Sequence, residues 1–140
     1  KDIPTSDGFD IALCVLDQQH KKIQFTGGMN NLIHIRDGKL EVLRGDRSSV
    51  CVVYNNPDHF TMKEFEYKKG DVFYLFSDGY QDQFGGEHDR KYFVHRFYTE
   101  LLDIHRLPML KQKERLEKNL KEWMRDNVQT DDVTVMGIRL

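Results

Sequence analysis

A chain of 140 residues is one domain or part of one, long enough to bury a core without disulfides. Hydrophobic residues make up 39% and charged residues 31%, the balance of an ordinary globular protein. A net charge of −2 argues against a nucleic-acid binder that works through a basic surface. No apolar run reaches the roughly 18 residues of a membrane span, and no signal peptide opens the chain. Cys14 and Cys51 sit in separate apolar runs and make no CxxC or zinc pattern. Both are expected as buried free thiols in a reducing, cytoplasmic setting. The opening KDIPTSDGFD has no initiator methionine and reads as the cut end of a longer chain, whose missing region could carry a membrane tether.

In chain order, Phe9 to Asp17 (FDIALCVLD) is a mostly apolar run, expected as a strand buried on both faces. Lys22 to Gly28 (KIQFTGG) sets Ile23 and Phe25 against Gln24 and Thr26, and the short spacer predicts a hairpin with the first strand. Leu32 to Leu43 alternates on both sides of Asp37-Gly38, a strong hairpin signal. A loop with an apolar centre at Val50 to Tyr54 follows. Phe60, Met62, Phe65 and Tyr67 then alternate, and Lys68-Lys69-Gly70-Asp71 turns into the run VFYLF, Val72 to Phe76.

After Gly86 the period changes. Phe93, Phe97, Leu101 and Ile104 or His105 recur at helical spacing. Pro108 reads as the first residue of a second helix, with Met109, Leu116, Leu120, Trp123 and Met124 on its apolar face. Its other face, Lys111, Lys113, Glu114, Arg115, Glu117 and Lys118, reads as solvated. The closing run VTVMGIRL is β-branched and returns to the sheet. The class is α+β with mainly antiparallel pairing.

Two strand ends carry aspartates. Asp78 follows VFYLFS, and Asp131-Asp132 precede VTVMGIRL. If these strands are antiparallel neighbours, the end of one lies beside the start of the other and the carboxylates converge at one sheet edge. Hard oxygen donors in that arrangement suit Mg²⁺ or Mn²⁺ and metal-assisted chemistry on phosphate. The plain alternative is an ordinary turn, since Asp bonds its own backbone and Gly accepts positive φ. Ser6-Asp7-Gly8 repeats the same tripeptide and shows how common it is.

GDVFYLFSDGYQDQFGG, the two helices and DDVTVMGIRL together resemble the stage II sporulation E-type branch of the PPM (metal-dependent, type 2C) serine/threonine phosphatases. SDGFDIALCVLD and KIQFTGGMNNLIHIRDGKLEVLRGDR fit the same pattern, so the resemblance runs from about Asp7 to Leu140. It implies a PPM-phosphatase α-β-β-α sandwich: two antiparallel sheets face to face, helices outside, and two Mn²⁺ or Mg²⁺ ions at the sheet edge. A metal-activated water would attack phosphoserine or phosphothreonine on a regulatory protein in bacterial signalling, of the anti-anti-sigma type. Asp78 matches the Asp of the SDG motif and Asp131 the first Asp of DD(V)T, both as metal ligands. Asp132 and Gly79 would orient the site. No side-chain nucleophile is implied.

The family's N-terminal ligand and Gly-His-Gly segment have no counterpart among the 140 residues. The chain therefore resembles the C-terminal portion of one phosphatase domain, expected to be inactive by itself, with open sheet edges that could pair with a second copy. Ser48-Ser49-Val50 replaces the usual run after Gly-Asp. Asn30-Asn31 reads as a hairpin turn with Asn in the left-handed region, or as a substrate contact. His34 and His59 read as hairpin or surface residues. His88, His95 and His105 lack the i,i+4 spacing of a metal pair. Gly85-Gly86 predicts a flexible loop beyond Asp78. The alternative function is a non-catalytic, phosphatase-like binding module.

Overall fold

The computed structural model describes residues 8–51 and 60–140. His59, Ser6-Asp7 and most of the apolar stretch Val50 to Tyr54 lie outside them. In chain order the elements are β1 Gly8–Phe9, β2 Ile11–Asp17, β3 Lys22–Gly28, β4 Leu32–Arg36, β5 Lys39–Leu43, β6 Val50–Cys51, β7 Lys63–Glu66 and β8 Val72–Phe76. Then follow α1 Gly79–Asp82, β9 Phe84–Gly85, β10 Arg90–Lys91, α2 Val94–Ile104, α3 Met109–Met124 and β11 Val135–Arg139. The α+β class holds, with antiparallel pairing between all named strands.

Two sheets carry the fold. One has the order β2-β3-β7, the other β11-β8-β4-β5. Ile23 and Phe25 of the first pack against Leu32 and Phe73 of the second. The opposite face of the second sheet presents Ile33, Ile35, Val72 and Tyr74 to Phe97, Leu101 and Ile104 of α2 and Leu116 of α3. The β4 and β8 strands are thus covered on both faces, which is why LIHI and VFYLF read as continuous apolar runs.

The β2 strand differs from its expectation. Leu13 and Val15 are 52% and 51% exposed, so only one face of this strand packs on the core, through the half-buried Ala12 and Cys14. It lies at the edge of its sheet, and no helix among the described residues covers that sheet's outer face. The described layers are therefore β-β-α. Cys14, on the inner side, is half-buried rather than fully buried. Its partial burial pushes the thiol up to about 11, so it stays protonated near neutral pH.

The Asp37-Gly38 turn forms as expected, with both residues at positive φ. The Lys68 to Asp71 turn has a different job, because it carries the chain from one sheet to the other. Asp71, 2% exposed, anchors it. Its carboxylate accepts Arg36 Nε at 2.9 Å, Arg36 Nη2 at 2.5 Å and the Lys68 N–H at 2.8 Å. His34 Nε2 lies 3.2 Å away. Burial by itself would raise the Asp71 pKa, but the Arg36 and Lys68 hydrogen bonds, with His34 beside it, hold it below the usual carboxylate range. His34 lies in the β4–β5 hairpin, as expected, but is not at the surface. It is 6% exposed and stacks on Phe73 at 4.6 Å, with Phe65 on the same cluster.

The helices begin where the period changed, with Pro108 immediately before α3. Glu100 of α2 is buried beneath them. It accepts the hydroxyls of Tyr80 at 3.0 Å and Tyr92 at 2.7 Å, and the Asn119 amide bonds its other oxygen. Burial and the Glu100 charge push both tyrosine hydroxyls far above their ordinary range. No helix of the described residues is long and apolar enough to cross a membrane.

Candidate active site

The β8 and β11 strands are antiparallel neighbours, with Phe76 opposite Val135 and Val72 opposite Arg139. The end of β8 therefore lies beside the start of β11. Ser77 staples the junction: its N–H donates to Thr134 O at 3.0 Å, its hydroxyl donates to Asp132 O at 2.8 Å, and it accepts the Thr134 N–H at 3.0 Å. Gly79 is buried against the same segment, where a Cβ would meet Asp132 O at 2.3 Å. Only glycine allows the two aspartate-bearing segments to approach this closely.

Asp78 is exposed and precedes α1 without capping it, so its carboxylate is not spent on the helix. It lies on the wall of a cleft of about 630 Å³ shared with Asp10, Asn30, Asn31, Arg44, Asp46 and Arg47. Asp131 is also exposed, and one of its carboxylate oxygens accepts the Asp132 N–H at 2.7 Å. The donor chemistry fits a hard divalent cation. The number does not: among the described residues, no three His, Cys, Asp or Glu side chains are placed to hold an ion.

Asn30 and Asn31 do line the Asp78 cleft, but the left-handed residue of their turn is Met29, at φ 64°. Asn31 Oδ1 accepts the Gly45 N–H at 3.1 Å, and a Cβ on Gly45 would meet Asn30 O at 2.2 Å. The Gly45-Asp46 turn is thereby clamped to the GGMNN turn. Asp46 further accepts the Thr61 N–H at 2.7 Å, which with the Thr61 hydroxyl lowers its pKa against the cost of desolvation.

The segment after Asp78 is not a loose loop. It forms α1 and the β9–β10 hairpin, packed under Trp123. The Gly86 N–H donates to Trp123 O at 2.8 Å, Trp123 Nε1 donates to Gln83 O at 3.0 Å, and a Cβ on Gly85 would meet Trp123 O at 1.9 Å. Both glycines permit this close approach to Trp123. Gly85→Ala is expected to lower the unfolding free energy by about 2–3 kcal/mol in urea titration, because the methyl meets backbone that cannot swing aside.

Gln83 went unnoticed in the sequence. Fully buried, it donates to Val128 O at 2.9 Å and accepts the Thr130 N–H at 3.2 Å. It thus fixes the segment that delivers Asp131 to the end of β8. A polar residue between Asp82 and Phe84 gives no periodic signal, since Val128 and Thr130, which it holds, are more than 40 positions away. His88 and His95 are exposed and His105 is half-buried.

The architecture is that of PP2C-type phosphatase domains. The family model for stage II sporulation protein E (SpoIIE) matches residues 1–140, and the chain belongs to that family. The chain is similar to the SiaA-PP2C domain of Pseudomonas aeruginosa, at 30% identity and TM-score 0.85, covering 94% of this chain and 51% of that one. It also shares its fold with the phosphatase domain of the cell fate determinant SpoIIE from Bacillus subtilis, at 17% identity and TM-score 0.62, covering 93% and 57%. The serine/threonine phosphatase PstP/Ppp of Mycobacterium tuberculosis is similar in fold at 17% identity and TM-score 0.63, covering 95% and 60%. A search of curated proteins returns no match. The chain spans between 51% and 60% of the length of these three solved chains.

Proposed function

We propose that these residues are the C-terminal portion of a protein serine/threonine phosphatase domain that hydrolyses phosphoserine or phosphothreonine on a regulatory protein. The observation that supports this reading is the Ser77 staple, which joins the Asp78 and Asp131-Asp132 segments at one sheet edge. In the intact domain Asp78 and Asp131 would hold Mn²⁺ or Mg²⁺. Two such ions, when bound, supply Lewis acidity and an activated water for phosphate ester hydrolysis. Asp132 and Gly79 would set the spacing of the two carboxylates, Asp132 through its carbonyl on Ser77 and Gly79 by its lack of a side chain. The remaining ligands would come from a preceding part of the domain, because fewer than three donors converge among the described residues. A regulatory, signalling partner in the cytoplasm accords with the family, one of whose solved members is described as a cell fate determinant.

The test is phosphate release from a phosphoserine peptide with Mn²⁺, comparing the 140-residue chain with a longer protein that includes the preceding region. The longer protein is expected to turn over and the 140-residue chain to be silent. Robust turnover by the 140 residues would refute the division of ligands. Silence of the longer protein, with Mn²⁺ bound nowhere, would favour the phosphatase-like binding module.

A further inference from the structure

We propose that the cleft between the β9–β10 hairpin and the α2–α3 pair docks an acidic segment of a partner protein. The cleft is about 720 Å³ and stands apart from the proposed metal edge, since neither Asp78 nor Asp131 lines it. Its charged lining is Arg90, Lys91, Arg96 and Arg125 against Glu87 and Glu122. Lys91 is already paired with Asp82 at 2.8 Å, and Glu122 with Lys118 at 3.6 Å. Arg90, Arg96 and Arg125 have no carboxylate partner among the described residues. Glu87 is likewise in no ion pair among the described residues, which leaves three guanidinium groups against one carboxylate in the cleft.

The cleft is also built. Arg96 lies 4.7 Å over the Trp123 ring, and Trp123 is fixed in turn by Gln83 and by the two glycines of the hairpin. Stacking holds the Arg96 guanidinium in place while leaving its N–H groups available for carboxylates. At the lip, Phe93 is 46% exposed yet held at φ 69° and ψ 143°, and Arg125 at φ 52° and ψ −115°. A side chain other than glycine pays strain in such conformations, and strain of this kind gathers at ligand clamps. An exposed aromatic beside a ring-stacked arginine is the composition of an interface anchor. Carboxylates satisfy guanidinium forks in pairs. A few acidic residues match the size of the cleft, whereas a long nucleic-acid backbone would run out over a surface of net negative charge.

Trp123 is the single tryptophan of the chain, so its emission reports on this cleft. The experiment titrates the protein with an oligo-glutamate peptide and follows Trp123 fluorescence. A saturable change is expected, weakened by added NaCl and absent with oligo-lysine. The exposed pair Arg90→Gln/Arg125→Gln is expected to weaken binding by about tenfold or more, with the urea midpoint as the check on folding. Lys39→Gln/Lys69→Gln, outside the cleft and in no ion pair among the described residues, should stay within about twofold of the parent. No saturable change, an equal loss in both double variants, or equally tight binding of oligothymidylate would each overturn the proposal. Phosphatase activity enters none of these readouts.

Discussion

Asp78→Asn, made in a longer protein that includes the preceding part of the domain, is expected to lower Mn²⁺-dependent phosphate release by at least about a hundredfold. Loss of a residue that merely supports a ligand costs ten- to about a hundredfold, and loss of a ligand itself costs more. The melting temperature should hardly move, because Asp78 is exposed and does not cap α1. Asp131→Asn is expected to behave alike. Asp132→Asn should be milder, since Ser77 bonds its carbonyl and not its carboxylate. Gly79→Ala is the contrasting variant: its methyl would force Asp132 O away and lower both activity and stability. Manganese affinity, measured calorimetrically, separates ligand loss from unfolding. Unchanged turnover in Asp78→Asn would leave Ser77-Asp78-Gly79 as an ordinary turn.

Asp71→Asn should be the most destabilising polar substitution, by about 2–3 kcal/mol in urea unfolding. Breaking a fully buried ion pair costs more, but the Arg36 side chain is 30% exposed and water recovers part of its solvation. The pH dependence carries the sign. The folded Asp71 pKa lies below its ordinary value of 3.8. Its contribution is therefore complete above that ordinary value and is lost as pH falls from about 4 through the folded pKa. The stability difference between the parent and Asp71→Asn should shrink below about pH 4. A difference that failed to shrink below about pH 4 would contradict the network described for Arg36, Lys68 and His34.

These two aspartates show how unevenly the chain could be read. Asp78 was legible because it belongs to a motif whose partner, Asp131-Asp132, also stands at a strand end. Asp71 was read only as part of a turn, because its partners Arg36 and His34 lie on another strand. The β4 and β8 strands announced themselves through apolar runs, since two layers cover them. The β2 run looked the same and misled, because a one-dimensional pattern does not say whether a layer is present on the outer face. The Gly85-Gly86 pair likewise signals both mobility and close approach. Trp123 decides between them, from almost 40 residues further along the chain.

The sequence by itself determined the α+β class, the order of the longer strands and of the two long helices, the Asp37-Gly38 hairpin and the candidate ligands. Those features follow from local chemistry: side-chain period, turn residues and motif spacing. Tertiary structure alone decided that Lys68 to Asp71 joins two sheets and that His34 is buried. It also decided that Gln83 steers the approach to Asp131 and that three arginines share a cleft with Trp123. Each of these depends on side chains meeting across long sequence separations, where burial and hydrogen-bond geometry set the outcome and leave no period in the chain.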